Sequence, residues 1–422
     1  MTTATRPAEA PTSRTPFLYR GWVMVAVAAF AMVATLPGRT HGLGMITERL
    51  LADPRIGLDR LAYGQLNLWA TLLGALFCLG IGRLIDSWGS RIVLAAVLVL
   101  LAAAVIGMSF AGGVTSLFIA VTLTRGFGQS ALSVVSITLV GKWFRRRLGA
   151  AMAIYAVLIA VGFMVTYRAG QAYAESDWRV FWGGIGVALL ASVPFAWLLT
   201  RDTPEECGLA VDGIDRQEEE EPEGYSFTLG QAARTPAFWI FALSTSAFGL
   251  VAAGVALFNE SILADLGFDR SMYFKMLTLG VPFGLAAKFA TGWLANHISL
   301  GKLSAVALLL LAATLAGLTA LRSYNDLVTY TATSAVAGSM ITVLFFTVWG
   351  RLYGRMYLGR IQAAAQMLTV LASAIGPLAF AAVKEATGSY TPVLWTSAAV
   401  IALLGVASWI VPLPSAPPAR VK

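Results

Sequence analysis

The sequence has little charge for its length. Of its 422 residues, 12% are charged and 58% are hydrophobic, whereas soluble domains carry about 25% charged residues. This shortage of charge excludes an ordinary soluble domain and predicts that most of the chain lies in a lipid bilayer. There are only two cysteines, Cys78 and Cys207, which is too few for a disulfide framework.

Motifs of enzymes and of ATP-driven pumps are also missing. The sequence has no P-loop, HExxH, CxxC or dinucleotide-binding glycine pattern, so we expect no catalytic activity, cofactor or metal. The net charge of +8 is dispersed rather than gathered in one basic domain, which argues against nucleic-acid binding. Residues 1–18 are rich in Pro, Thr and Ala and lack an apolar run, so they are typical of a disordered tail rather than a signal peptide.

What the sequence does have is a series of long apolar runs. Each is long enough to cross about 30 Å of hydrocarbon as a helix. Together they predict an all-α membrane protein with twelve transmembrane helices, which we call spans 1 to 12. A window of about 19 residues places the spans at roughly residues 21–47, 61–85, 91–111, 115–140, 148–172, 179–200, 236–263, 272–296, 302–321, 325–349, 358–384 and 390–412.

Lysine and arginine are unevenly distributed between the loops. The loop after span 3, "AGGV", has no charge. Basic residues fall instead in the loops that follow spans 2, 4, 8 and 10: Arg83, Arg91, Lys142, Arg145, Arg146, Arg147, Lys302, Arg351, Arg355 and Arg360. The positive-inside rule therefore places both termini and the polar interval 201–235 in the cytoplasm. We expect a multi-pass protein of a bacterial-type inner membrane.

Two segments of the chain resemble each other and indicate an internal repeat. "TERLLADPRIGLDRLAY" (47–63) matches "NESILADLGFDRSMY" (259–273), and "GRLID" (82–86) lies 25 residues after the shared glycine, as "GWLAN" (292–296) does. The repeat predicts two pseudo-symmetric six-helix bundles, residues 19–200 and 236–412, joined by a cytoplasmic linker and followed by a tail at 413–422. Substrate sites in such proteins lie between the halves, near mid-membrane.

Two motifs of the sequence resemble signatures of the major facilitator superfamily. "GRLIDSWGSR" (82–91) is similar to the family's signature after span 2, and "RGFGQS" (125–130) to its signature in span 4. "YRGWVMVA", "GKWFRRRLGAAMAI" (141–154) and "AIGPLAFAAVKEATGSY" (374–390) resemble the monocarboxylate transporter and oxalate:formate antiporter branch. The resemblance implies the fold of that superfamily and secondary transport.

The branch also implies a role for Lys288. Its members carry a basic residue four positions before a glycine of span 8, which pairs with the substrate carboxylate; Lys288 stands four before Gly292. The branch has a proton-coupling aspartate where this chain has Gly284. An ammonium in hydrocarbon costs about 2.5–3.5 kcal/mol on insertion scales. The alternative is a lysine that reaches the membrane surface, but Asn296 lies about 12 Å away along the helix.

Other polar groups are candidates for the same site or for coupling. Arg39 and His41 follow a break at Pro37 and Gly38, the pattern of a broken helix at a binding site or of a helix end at the interface. Arg125 either faces the substrate or is bonded to carbonyls of span 1. Polar candidates that line the pocket or join helices are Asn67 and Asn259. Candidates for coupling or for anchoring of helix ends are His41, Glu48 and Glu260.

A third group is expected to form a cytoplasmic gate that holds one conformational state. It comprises Gly82, Asp86, Gly89, Arg91, Arg145, Arg146, Arg147, Arg351, Arg355 and Arg360. We therefore expect a monomeric secondary active transporter with rocker-switch alternating access, which moves a small organic anion, a monocarboxylate, by proton symport or anion exchange. The alternative functions are transport of nitrate, nitrite or drugs by a member of the same superfamily, and a role as a transporter-like sensor.

Overall fold

The computed structural model describes residues 19–172, 177–213, 226–268 and 270–414. All of the regular structure in these ranges is helical. The predicted tail 1–18 and part of the linker lie outside the described residues. So do the side chains of His41, Glu48 and Glu260, and their predicted roles therefore remain predictions.

Spans 1 to 6 form the first half of the fold. Three of them are composite: span 1 contains a break of one 3-10 turn, span 2 bends at Leu76, and span 4 contains a π-helical segment. Their helices are Gly21–Ala34, Leu36–Gly38 and Thr40–Gly44 for span 1; Arg60–Ala75 and Phe77–Trp88 for span 2; Ser90–Ser109 for span 3; Val114–Thr124, Arg125–Leu132 and Ser133–Trp143 for span 4; Leu148–Ala172 for span 5; and Trp178–Leu199 for span 6.

Spans 7 to 12 form the second half, and each is a single continuous helix. They are Pro236–Asp265, Arg270–Leu294, Leu300–Leu318, Tyr324–Tyr353, Leu358–Thr387 and Thr391–Ile410. Short helices outside the spans are Thr47–Leu51, Glu205–Cys207, Val211–Gly213 and Leu229–Ala232.

The length and composition of these helices confirm the predicted all-α membrane fold. In the ranges that the structure describes, eleven stretches are long and apolar enough to cross a membrane. They cover every predicted span except span 8, several of whose side chains are not described. Span 8 is nevertheless a helix of 25 residues, which rises about 1.5 Å per residue and so exceeds the thickness of the hydrocarbon.

Buried apolar side chains form two clusters, one in each half. The first is built from residues of spans 1 to 6 and is joined by Ala363 of span 11. The second is built from residues between 227 and 411. Because each half has its own core, the halves can move against each other without unpacking.

One side of the membrane fold carries the linker. The Tyr19 hydroxyl donates to the carbonyl of Trp143 at the end of span 4, and the Trp143 indole donates to the carbonyl of Arg201. The Phe227 N–H donates to the carbonyl of Tyr353 at the end of span 10. The start of span 1, the ends of spans 4 and 10, and the linker therefore share one side, which we call the linker side; the other is the far side.

The internal repeat is visible on the far side. Asp53, in the loop after span 1, forms an ion pair of 2.8 Å with Arg179 at the start of span 6. Its repeat equivalent Asp265, at the end of span 7, forms an ion pair of 2.5 Å with Lys384 in span 11. The two aspartates occupy matching places but tie down different spans.

Candidate functional site

The two halves meet closely between spans 5 and 8 on the linker side. A Cβ atom placed on Gly149 would lie 2.6 Å from the carbonyl oxygen of Gly292, and one on Gly292 would lie 2.7 Å from that of Gly149. Real Cβ atoms do not approach an oxygen so closely, so the two backbones touch here only because both residues are glycine. We call this contact the glycine crossing.

Lys288 lies one helical turn from the glycine crossing, toward the far side. Its side chain is partly buried, and Nζ donates to Oγ of Ser339 in span 10 at 3.1 Å. No carboxylate in the described part of the chain forms an ion pair with it. The lysine therefore stands beside the contact between the halves with a neutral hydroxyl as its polar partner.

Gly284 lies next to this lysine and its partner. A Cβ atom at position 284 would lie 3.1 Å from Ser339 Oγ and 3.9 Å from Lys288 Nζ. Any longer side chain here, such as the aspartate of the monocarboxylate branch, would project toward the pair. The glycine therefore places no side chain between span 8 and the pair.

Arg39, after the break of span 1, turns back along its own helix. Its Nε donates to Thr35 Oγ1 at 2.6 Å, and an Nη atom donates to Ser133 Oγ of span 4 at 3.2 Å. The guanidinium lies 5.7 Å from the ring centroid of Phe163 in span 5. The side chain is thus held among spans 1, 4 and 5 of the first half.

Arg125 is held in a network of neutral acceptors. It is only 2% exposed, and its Nη1 donates to the carbonyl of Gly38 and to Thr40 Oγ1, both at 3.1 Å. It also donates to Gln129 Oε1 at 2.9 Å. In this arrangement the arginine satisfies the carbonyl that the break in span 1 leaves without a helical partner.

The two candidate asparagines have different surroundings. Asn67 Oδ1 accepts from Arg125 Nη2 at 3.1 Å, and Asn67 Nδ2 donates to the carbonyl of Tyr63. Asn67 therefore joins span 2 to the network around Arg125. Asn259, in span 7, has a buried Oδ1 with no hydrogen-bond donor among the described residues.

Tyr155 was not among the predicted site residues, although it joins the two halves. Its hydroxyl is 2.7 Å from Ser136 Oγ in span 4, and its ring packs edge-on against Phe346 in span 10, with centroids 5.1 Å apart. Ser136 in turn donates to the carbonyl of Ala28 in span 1. In the sequence, Tyr155 is one aromatic residue in a long apolar run, so nothing there distinguishes it from a core residue.

Asp86 connects span 2 to span 11 of the other half. Its Oδ1 accepts from the Gly359 N–H at 3.0 Å, and its Oδ2 accepts from the Arg360 N–H at 3.2 Å. Arg360 Nε lies 3.4 Å from Oδ2, and the carboxylate side chain is 2% exposed. Gly82, one turn earlier, allows the approach, because a Cβ atom there would lie 2.7 Å from the Gly359 carbonyl oxygen.

Arg355 connects the second half to the first half and to the linker. It donates to the carbonyl of Lys142 at the end of span 4, and it forms an ion pair of 2.6 Å with Glu205 of the linker. Partial burial alone would raise the pKa of Glu205, but the hydrogen bond and charge of Arg355 lower it below its ordinary value of 4.5. Lys142 Nζ donates to the carbonyl of Ile85 in span 2.

The other basic residues of the predicted gate have hydrogen bonds to their own half or to the linker. Arg351 donates to the carbonyl of Ala295 and, at 2.9 Å, to Asn296 Oδ1. The Arg91 N–H donates to Asp202 of the linker at 2.6 Å, beside Gly89, whose φ of 84° ends span 2. Arg145, Arg146 and Arg147 donate their backbone N–H groups to the carboxylate of Asp212.

The linker therefore has a structural role that the sequence analysis did not predict. Asp202 and Asp212 bind the N–H groups at the starts of spans 3 and 5, and Glu205 binds Arg355 of the second half. Acidic residues at helix starts are a recognisable signal, but these helices lie far from the aspartates in sequence. Within the described ranges, no group of three or more His, Cys, Asp or Glu could hold a metal ion.

Comparisons with known proteins agree with this arrangement. The human organic anion transporter MFSD10 (TETRAN) has a similar structure, with a TM-score of 0.65 and 16% identity over 92% of this chain and 97% of that one. The proton:xylose symporter XylE has a TM-score of 0.73 and 13% identity over 93% and 96%. The transporter FucP in its outward conformation has a TM-score of 0.66 and 14% identity over 94% and 99%. At these identities the likeness shows the fold alone.

The sequence comparison identifies the family. No curated protein sequence matches the chain significantly. Residues 17–332, which include all of the first half and about half of the second, match the profile of the Major Facilitator Superfamily. The chain therefore belongs to the Major Facilitator Superfamily and is a membrane transporter.

Proposed function

We propose that this chain is a secondary active transporter of small organic anions, with monocarboxylates as the first substrates to test. The observation that carries the proposal is the position of Lys288. Its ammonium lies one turn from the glycine crossing, and Ser339 is its polar partner in the described part of the chain. Membership of the monocarboxylate branch is part of this proposal.

The energetics of a charged lysine support an anionic substrate. An ammonium in the middle of a membrane helix costs about 2.5–3.5 kcal/mol on insertion scales, and a hydroxyl partner leaves its charge uncompensated. A bound carboxylate would neutralise the charge and offset this cost. Lysine acts as a point charge without the planar fork of arginine, so it suits small anions.

Arg39 would provide positive charge from the other half. It is held by Thr35 and Ser133 in the first half, whereas Lys288 belongs to the second. An anion between the two halves would interact with both charges. Binding in this place couples the substrate to the relative movement of the halves, as rocker-switch transport requires.

The closed side of the structure indicates which state it represents. The cross-half contacts of Asp86, Arg355 and the glycine crossing lie on the linker side. In this state the proposed site would be reached from the far side. With the orientation that the lysine and arginine distribution predicts, both termini in the cytoplasm of a bacterial-type cell, this is an outward-facing state.

The coupling mechanism follows from the groups near Lys288. Gly284 replaces the proton-coupling aspartate of the monocarboxylate branch, which favours anion exchange over proton symport through span 8. Proton symport would need a carrier elsewhere, and the candidates are His41, Glu48 and Glu260. Response to an imposed proton gradient distinguishes the two mechanisms.

Uptake of labelled carboxylates into proteoliposomes tests the proposal. The panel consists of formate, acetate, lactate, pyruvate and oxalate, each measured with and without a proton gradient. We compare wild type with Lys288→Ala and with the matched control Lys302→Ala. Lys302 lies at the start of span 9, and its ammonium lies over the ring of Trp409.

We expect uptake of at least one anion, for which Lys288→Ala raises KM about 10-fold or more and Lys302→Ala leaves KM unchanged. A folded Lys288→Ala protein with the wild-type KM would overturn the role of the lysine. A wild-type protein that transports no member of the panel would overturn the choice of substrate class.

A further inference from the structure

We infer that Ser339 is a second donor to the substrate, so that Lys288 and Ser339 bind the two oxygens of one carboxylate. The inference rests on the proposed function and names the group that makes the site selective. The supporting observation is a difference in hydrogen bonding between Ser339 and the threonine residues of span 10.

The threonine hydroxyl groups of span 10 are bonded within their own helix. Thr331, Thr342 and Thr347 each donate to the carbonyl four residues earlier, at 2.8, 2.7 and 2.7 Å. Ser339 forms no such bond. Its Oγ accepts from Lys288, and its hydroxyl hydrogen has no acceptor in the part of the chain that the structure describes. The O–H group of Ser339 is therefore an unused hydrogen-bond donor, although the residue is only 6% exposed.

The geometry of the pair suits a carboxylate. Lys288 Nζ and Ser339 Oγ are 3.1 Å apart, and an ammonium has three hydrogens, of which one is used by the serine. Two adjacent donors can each bind one oxygen of the same carboxylate, and charge-assisted hydrogen bonds of this kind are the strong ones. Gly284 places no side chain against the pair, whereas a Cβ atom there would already lie 3.1 Å from Ser339 Oγ.

Both donors belong to the second half of the transporter. Spans 8 and 10 are neighbours in one core cluster, so the pair stays assembled when the halves move. The site would therefore recognise a carboxylate in the same way from either side of the membrane.

The rival role for Ser339 is to hold Lys288 in place without touching the substrate. A double-mutant cycle separates the two roles. If Ser339 donates to the substrate, Ser339→Ala weakens binding even when residue 288 is already alanine. If Ser339 only positions the lysine, Ser339→Ala has no further effect in the Lys288→Ala background.

The experiment measures KM for the labelled carboxylate that wild type transports best. The variants are Ser339→Ala, Ser339→Cys, Lys288→Ala and the Lys288→Ala/Ser339→Ala pair. Thr342→Val is the matched control, because the Thr342 hydroxyl is already bonded to the Gly338 carbonyl. Thermal denaturation in detergent confirms that each variant is folded, and Ser339→Cys, a weaker donor of similar size, replaces alanine if that variant fails to fold.

We expect Ser339→Ala to raise KM about 10- to 100-fold, the range for a hydrogen bond to a charged group. Ser339→Cys should lie between alanine and wild type, and Thr342→Val should match wild type. A folded Ser339→Ala protein with unchanged KM overturns the inference while the proposed function stands. A Lys288→Ala/Ser339→Ala protein with the same KM as Lys288→Ala also overturns it, because Ser339 then acts through Lys288 alone. If wild type transports no carboxylate, the proposed function fails and the inference fails with it.

Discussion

Asp86 and Gly359 form a hydrogen bond that joins the two halves of the transporter, with Oδ1 3.0 Å from the backbone nitrogen. Gly359 lies in the first turn of span 11, so the carboxylate meets the positive end of a helix dipole. The same carboxylate accepts from the next N–H, that of Arg360. Closure of the linker side therefore has an electrostatic component that depends on one buried acid.

Replacing this acid should open the linker side. In Asp86→Asn the side chain keeps its size but loses its charge, and its amide group would face N–H groups that need an acceptor. Hydrogen bonds to charged groups contribute about 1.5–3 kcal/mol, so we expect the ratio of open to closed molecules to rise roughly 10- to 100-fold. Distances between spin labels on spans 2 and 11 measure the ratio.

Asp59→Asn is the matched control for this change. Asp59 caps the start of span 2 by accepting from the Ala62 N–H at 2.7 Å, and it does so within one half. The control should leave the distance distribution unchanged. An Asp86→Asn protein with the wild-type distribution would show that the carboxylate does not hold the closed state.

A side chain at the glycine crossing should prevent closure. In Gly292→Val the new atoms would overlap the Gly149 backbone of the other half. Overpacking costs about 1–3 kcal/mol, so we expect the closed linker-side state to become rare and uptake to fall roughly 10-fold or more. Gly317→Val in span 9, where a Cβ atom meets nothing within 4 Å, should transport normally. Normal uptake by Gly292→Val would mean that the halves close without this contact.

Arg125→Lys tests whether Arg125 stabilises the break in span 1. Lysine keeps the positive charge but has no planar fork, so it would lose several of the bonds to Gly38, Thr40, Gln129 and Asn67. We expect a loss of about 2–4 kcal/mol in the free energy of unfolding, as for other broken buried networks. The thermal midpoint in detergent measures it, with the exposed Arg322→Lys as control. A stable Arg125→Lys protein that no longer transports would instead point to a direct role with the substrate.

The ion pair of Glu205 and Arg355 should make the closed state sensitive to acid. Because the pairing lowers the pKa of Glu205 below 4.5, its contribution is fully present above the ordinary pKa. The contribution is lost as the pH falls through the lowered value. Glu205→Gln should therefore show at neutral pH the small opening of the linker side that wild type shows only in acid. The chemical accessibility of a cysteine introduced near Arg355 measures the opening of the linker side in both proteins. Cys78 and Cys207 are first replaced in each, so that only the introduced thiol reacts. An unchanged acid response in Glu205→Gln would assign that response to another group.

Much of the fold was predictable because lipid simplifies the problem. Every backbone polar group in hydrocarbon must be paired, so long apolar runs become helices. Pro37 and Gly38 correctly marked the break in span 1. The π-helical segment at Arg125–Leu132 left no comparable signal, since its residues also fit an α-helix.

The contacts of the residues that we predict to form a gate could not be derived from the sequence. Asp86 was recognisable from its motif, but the hydrogen bonds that it accepts from span 11 depend on tertiary packing. Arg145, Arg146 and Arg147 were chosen for their charge, yet the described contacts with Asp212 use their backbone N–H groups. The sequence predicts that the acidic residues of the linker are solvated, because nothing in it indicates which helix starts lie beside them. Ser339 is one of many hydroxyl residues in apolar helices, and only its bonding distinguishes it.

The two pseudo-symmetric contacts that close the linker side, one between spans 2 and 11 and one between spans 5 and 8, are chemically different. The second half has Asn296 where the first has Asp86, and Asn296 Oδ1 would lie 3.2 Å from a Cβ atom on Gly149, next to the start of span 5. Spans 2 and 11 are thus held by an anion at a helix start, whereas spans 5 and 8 meet through backbone contact, because the Asn296 amide oxygen accepts from Arg351 of its own half. The weaker pair should separate first. Water would then enter beside span 8, and an anion at the proposed Lys288 site would begin to hydrate before the halves have fully parted.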